Sequence, residues 1–227
     1  MKEVILALDF PEASPALKMV DQIGGDLNWV KVGMQLFYKE GPKFIDQLKA
    51  KDLKIFLDLK LHDIPHTVAR ACESLLDLGV DMTNVHCLGG REMMTAAAEV
   101  CSDRLHLIGV TQLTSTSQSQ MNQEMKISGD LEKSVLALAD LAKASQLSGV
   151  VCSSFEAKMI KAQCGESFLS VCPGIRFKED SKDDQVRVAT PKFAGENSVD
   201  FAVIGRSITK SDFPKEKFLK AQKEMRS

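Results

Sequence analysis

Eight short apolar, β-branched runs recur along the chain: VILALDF (4–10), WVKVG (29–33), KIFLDLK (54–60), TNVHC (83–87), LHLIGV (105–110), GVVC (149–152), FLSVC (168–172) and FAVIG (201–205). Most of the intervals between them are long enough for a helix. Strands this uniformly apolar are buried on both faces, as in parallel sheets covered by helices. Strand and helix repeated eight times give a (β/α)8 TIM barrel as the predicted fold, of class α/β. No Pro/Gly/Ser-rich linker divides the sequence, so residues 1–227 are expected to form a single domain.

The intervals carry helical signals. Val68, Ala71, Cys72, Leu75, Leu76 and Leu78 repeat at spacings of three and four, with Arg70, Glu73 and Asp77 on the other face, and Gly79 fits the stop. Ser14 before Pro15 and Thr190 before Pro191 read as N-caps followed by first helical residues, and Ser153 with Glu156 reads as a capping box. Two connections are long and polar, 114–130 after the fifth run and 174–191 after the seventh. Both follow the strand ends where barrel enzymes place their sites.

Composition narrows the function classes. The 29 Lys and Arg against 31 Asp and Glu, a net charge of −2, lack the basic excess of a general nucleic-acid binder, so no nucleic-acid partner is expected. No apolar run approaches the ~20 residues that span a bilayer, so no membrane partner is expected either. MKEVILALDF has no small-residue cleavage site and reads as the first strand of a cytoplasmic protein. The six cysteines form no C-x-x-C pair and several sit in apolar runs, which predicts buried reduced thiols. Trp29 and Tyr38 read as packing residues.

The charges inside the strand runs are the informative exceptions. Alternation along a strand puts Asp58 and Lys60 on one face and Leu57, Leu59 and Leu61 on the other, with Asp63 following at once. Asp9 ends the first run and Lys31 interrupts the second. Three adjacent strands would thus deliver Asp9, Lys31, Asp58 and Lys60 to one end of the barrel, an alternation of anions and cations that reads as a catalytic site. The bland reading of a lone D-x-K is an ion pair that fixes geometry.

A second cluster suits a phosphate. The seventh run continues into PGIR (Gly174, Arg176) and the eighth into IGRSI (Gly205, Arg206), the two loops that bind phosphate in many barrels. Arg adds a bidentate fork matched to phosphate oxygens. His62 and His66 have the spacing of a helical metal pair, but Pro65 should start a helix between them and no third ligand is evident, so no metal is expected. His86 reads as a hydrogen-bonded histidine at the barrel end.

Taken together, ALDF, KVGMQLF, the D-x-K-x-x-D-I-P-x-T block at 58–67, VHCLGG, VTQLTS, PGIR, DDQVRVATP and IGRSIT resemble the orotidine 5'-monophosphate decarboxylase family along nearly the whole chain. The resemblance implies a decarboxylase acting on a nucleotide, without a cofactor. It implies that Asp9 and Lys31 hold the ribose hydroxyls, that Asp58 faces the substrate carboxylate and that Lys60 protonates C6. Thr114 would contact the pyrimidine, Gln185 would bridge base and phosphate, and Arg176, Gly205 and Arg206 would bind the phosphate. Asp63 and Thr67 would reach into the partner's site of a homodimer.

Two rivals stay open on sequence. A sugar-phosphate decarboxylase of the same suprafamily would share the D-x-K-x-x-D block but use Mg2+ beside an acidic residue on strand two, where Lys31 stands. A nucleotide-phosphate binding protein that lost its chemistry would have little reason to keep Asp58, Lys60 and Asp63.

Overall fold

The computed structural model describes residues 2–180 and 189–227. Eight parallel strands close on themselves in sequence order: β1 (Glu3–Ala7), β2 (Trp29–Gly33), β3 (Lys54–Leu61), β4 (Met82–His86), β5 (His106–Val110), β6 (Gly149–Val151), β7 (Leu169–Cys172) and β8 (Phe201–Ile204). β8 pairs back onto β1, so the sheet has no free edge. Around it run α1 (Ala13–Ile23), α2 (Met34–Glu40), α3 (Pro42–Lys49), α4 (Pro65–Asp77), α5 (Gly90–Cys101), α6 (Leu131–Ala144), α7 (Ala157–Cys164), α8 (Pro191–Glu196), α9 (Arg206–Thr209) and α10 (Pro214–Arg226). The predicted (β/α)8 barrel is the observed one, and each strand's ends fall within three residues of those of its apolar run.

The core is double. One apolar shell lies between sheet and helices; a second fills the barrel itself with Ile5, Ala7, Trp29, Phe56, Met82, Ile108, Val171, Phe201 and Val203. Trp29 meets Phe201 edge to face at 5.3 Å across this interior. These residues are the inward positions of the lower strand halves. Period two then makes Asp9, Lys31, Asp58, Asn84 and Gly205 the inward positions above Ala7, Trp29, Phe56, Met82 and Val203. The interior therefore changes from apolar to charged in one pleat, at the C-terminal end of the strands.

Local signals held unevenly. Thr190 caps α8, accepting from the Phe193 N–H at 3.1 Å, and Pro65 opens α4. Glu156 accepts from the Ser153 N–H at 2.8 Å, the expected capping-box bond, in the turn that leads into α7. Ser14 is not a cap: α1 begins at Ala13, whose N–H is served from a distance by Glu40 Oε1 at 3.0 Å. Pro15 is compatible with that earlier start because the first-turn N–H groups have no helical partner. Tyr38 is not a packing residue either; it projects from α2 with 71% of its surface exposed, whereas Trp29 is buried. All six cysteines are free and buried, with Cys152, just past β6, and Cys172, at the end of β7, side by side at 3.7 Å. Among the described residues no helix is long and apolar enough to cross a membrane.

Candidate active site

The charged layer is one connected network. Lys60 Nζ donates to Asp58 Oδ1 at 2.6 Å, Lys31 Nζ lies 3.6 Å from Asp58 Oδ2, and Lys31 Nζ donates to Asp9 Oδ1 at 2.9 Å. Anion and cation alternate across three strands, as the sequence predicted. Burial alone would push the Asp58 carboxyl up; Lys31, Lys60 and the hydrogen bonds from Lys60 and Asn84 outweigh it and hold it below its ordinary value of 3.8. Asp58 is therefore a carboxylate fixed by two ammonium groups.

Lys60 reaches Asp58 by a different route from simple alternation. The β3–β4 register runs from Leu57↔Thr83 to Leu61↔Val85, so β3 carries two extra residues against its neighbour. Lys60 sits in that bulge with φ at +51°, a left-handed backbone that costs a non-glycine residue about 1–3 kcal/mol. The side chains of β4 serve the interrupted ladder. Thr83 Oγ1 donates to the Leu57 carbonyl at 2.9 Å, and Asn84 Oδ1 accepts from the Lys60 N–H at 2.7 Å while its Nδ2 donates to Asp58 Oδ1 at 2.7 Å. Asn84 is a site residue that sequence reasoning missed. Its only signal was a polar residue at an inward strand position.

Next to the network lies a cavity of about 240 Å³ with largely apolar walls, Phe56, Val110, Val151, Val171 and Val203 among them. Lys31, Asp58 and Lys60 border it on one side, and Gln112 and Thr114, from the connection after β5, on another. Gln112 is tied to α6 through Ser134 Oγ at 3.1 Å. A wider cleft opens from the same charges toward β7 and β8 and is lined by Asp9, Gly174, Arg176, Gly205 and Arg206. Gly174, at φ +78°, makes the turn that carries Arg176 into it. The structure thus brings together nine of the residues singled out above, Gly174 included: four of the network, Thr114 and the phosphate-type set.

The segment after Arg176 is anchored. Its N–H donates to the Ala189 carbonyl at 3.0 Å, and Lys217 and Lys220 of α10 hold Glu179 at 3.2 and 2.9 Å while lying over the Phe177 ring. Those two ammonium groups lower the exposed Glu179 carboxyl to about 2. Gln185 lies outside the described residues.

Asp63 and Thr67 stand apart from the network. Both are exposed on the rim; Asp63 accepts from the neighbouring Ile64 N–H at 2.7 Å, and among the described residues no ion pair joins it to Lys60. His86 also differs from expectation. Its ring lies 5.5 Å from that of His62, and its buried Nδ1 has no partner among the described residues. Burial, with His62 and Lys60 nearby, lowers its pKa and favours the neutral ring. No group of three His, Cys, Asp or Glu among the described residues is arranged to hold a metal.

Residues 2–221 match the model of the orotidine 5'-phosphate decarboxylase / HUMPS family. The chain belongs to this family. It is 50% identical to an orotidine 5'-phosphate decarboxylase of Bacillus cytotoxicus, over 96% of this chain and 94% of that one. It is 48% identical to the Bacillus pumilus protein of the same name, over 97% of each. Among solved structures, an orotidine 5'-phosphate decarboxylase from Lactobacillus acidophilus superposes with a TM-score of 0.88 at 37% identity, covering the whole of both chains. An uncharacterised conserved protein from Geobacillus kaustophilus gives 0.87 at 40% identity, over 98% of this chain and all of that one. The family assignment drawn from the sequence motifs stands.

Proposed function

We propose that this chain decarboxylates orotidine 5'-monophosphate to UMP and CO2, the last step of de novo pyrimidine synthesis, within a single domain. The observation that carries the reading is the Asp9–Lys31–Asp58–Lys60 network set between an apolar cavity the size of a small ring and a cleft ending in Arg176 and Arg206. Full-length similarity to proteins named for this reaction supports it.

Breaking the C6–carboxylate bond leaves its electron pair on C6, in the plane of the ring, where the π system cannot spread it. Stabilisation must come from charge already in position. Lys60 Nζ attracts the developing carbanion and then gives it a proton, closing the C6–H bond and leaving a neutral amine that solvent reprotonates. Asp58 orients Lys60 and meets the substrate carboxylate; Asp9 and Lys31 hold the ribose hydroxyls. Thr114 contacts the pyrimidine, and Arg176, Gly205 and Arg206 take the phosphate, with Gln185 bridging base and phosphate. Phosphate binding, remote from C6, contributes the energy that fixes the base against Lys60. The ammonium does the work a metal would do elsewhere, so no cofactor enters the reaction, and Lys31 replaces the acid that a Mg2+-dependent sugar-phosphate reaction would require.

The site is composite in this reading: Asp63 and Thr67, exposed on the rim, enter the partner's site in a homodimer. The proposed location is the cytoplasm. Loss of orotidine 5'-monophosphate absorbance, undiminished by EDTA, is the expected result for the purified protein; an inert protein, or one silenced by EDTA, would overturn the reading. Mixing inactive Lys60→Ala and Asp63→Ala subunits should restore part of the activity, and hybrids that form yet stay inactive would remove the sharing.

A further inference from the structure

We infer that Asn84 is a positioning residue for the reaction, the one side chain among the described residues that bonds both the backbone of Lys60 and the carboxylate of Asp58; this rests on the decarboxylase reading above. Asn84 lies on β4, one pleat above Met82 of the barrel core, and is 1% exposed. Its amide has two different neighbours. On one side is the Lys60 N–H, which lost its ladder partner when β3 bulged; on the other is Asp58 Oδ1, which already takes the Lys60 ammonium at 2.6 Å. Both contacts are 2.7 Å.

The chemistry of those neighbours dictates the residue. The N–H needs an acceptor and the carboxylate needs a donor, at opposite ends of one short planar group, and a primary amide is the side chain that offers both. The same requirement fixes which way the amide faces: oxygen to Lys60, nitrogen to Asp58. Without the acceptor, a buried N–H on a left-handed residue is orphaned and the bulge loses what holds it open. Without the donor, Asp58 turns on its ammonium partners alone. Asn84 therefore couples the height of Lys60 above the barrel floor to the orientation of the carboxylate that aims it. Thr83, beside it, caps only the Leu57 carbonyl and supports the bulge without touching either charged group.

A merely structural Asn84 and a positioning Asn84 separate in kinetics. Asn84→Leu, similar in size, removes both contacts. It is expected to lower kcat roughly 100-fold, the effect of misplacing a reacting group by about 1 Å, while UMP affinity stays near wild type because no phosphate or ribose contact is altered. Asn84→Asp keeps an acceptor for Lys60 but sets a second carboxylate against Asp58. The charged and titratable groups around that pair are Lys31 on β2, Lys60 on β3 and His86 at the end of β4. Two adjacent carboxylates share a proton, so the acid limb of the kcat profile should move to higher pH. The measurements are steady-state decarboxylation across pH and UMP titration on the full-length protein. Wild-type kcat in a folded Asn84→Leu, or an unmoved acid limb in Asn84→Asp, overturns the inference, and Asn84→Asp decides alone if Asn84→Leu does not fold. Wild-type protein that leaves orotidine 5'-monophosphate intact overturns the reaction reading itself, and this inference with it.

Discussion

Two close Lys–Asp pairs on opposite sides of this barrel contrast in their surroundings. Lys161 Nζ lies 2.7 Å from Asp200 Oδ2, and Lys60 Nζ lies 2.6 Å from Asp58 Oδ1. The distances are nearly equal; the surroundings are not. Lys161 is 3% exposed, also donates to the Glu166 carbonyl at 2.7 Å, and its carboxylate partner accepts from the Ser170 N–H and hydroxyl. These contacts tie the pair into the junction of α7, β7 and the start of β8. Lys60 keeps 27% of its side chain exposed, borders a cavity, and belongs to a chain of charges that runs on to Lys31 and Asp9. A buried ion pair is thus no indicator of chemistry by itself. What marks the site is an ammonium whose hydrogen-bonding capacity is left partly unspent beside empty space.

Deleting each lysine should give opposite phenotypes. Lys60→Ala is expected to reduce decarboxylation below detection with little change in the urea midpoint, since Asp58 keeps Lys31 and Asn84; measurable turnover would remove Lys60 as proton donor. Lys161→Met should leave kcat per folded molecule unchanged but lower unfolding free energy by about 3–5 kcal/mol, the cost of stranding a buried carboxylate. A Lys161→Met protein that is stable yet inactive would reverse the assignments of the two pairs. The smallest effect is in acid. The native fold favours ionised Asp58, so its contribution is present above 3.8 and fades as pH falls through its lower native value. The stability difference between wild type and Asp58→Asn should therefore narrow as melts are recorded from neutral pH down to about pH 2. A constant difference would mean that Lys31 and Lys60 do not hold that carboxylate.

The sequence was legible where one residue carries the signal. Uniform apolar runs marked the strands because both faces are buried, and Asp9, Lys31, Asp58 and Lys60 stood out because charges are costly at such positions. It was opaque where two distant residues carry the signal together. Lys161 and Asp200 come from separate segments and form a pair only in the fold, and Asn84 acquires meaning only once β4 lies beside the bulge of β3. The bulge itself was hidden because a lysine, not a glycine, holds the left-handed backbone at Lys60. The Ser14 cap failed for the same reason: Glu40, 27 residues away, serves the start of α1 instead.

The break in β3 also separates two mechanical duties. Below it, Phe56 opposite Met82 and Leu57 opposite Thr83 keep the stagger on which closure of the eight strands depends; above it, Leu61 opposite Val85 begins a new frame. The segment that carries Lys60 is in effect a bracket bolted to the rim rather than a stave of the cask. Its reach and tilt can be retuned by changes at the bracket and its Thr83–Asn84 fastening while the staves below stay in register.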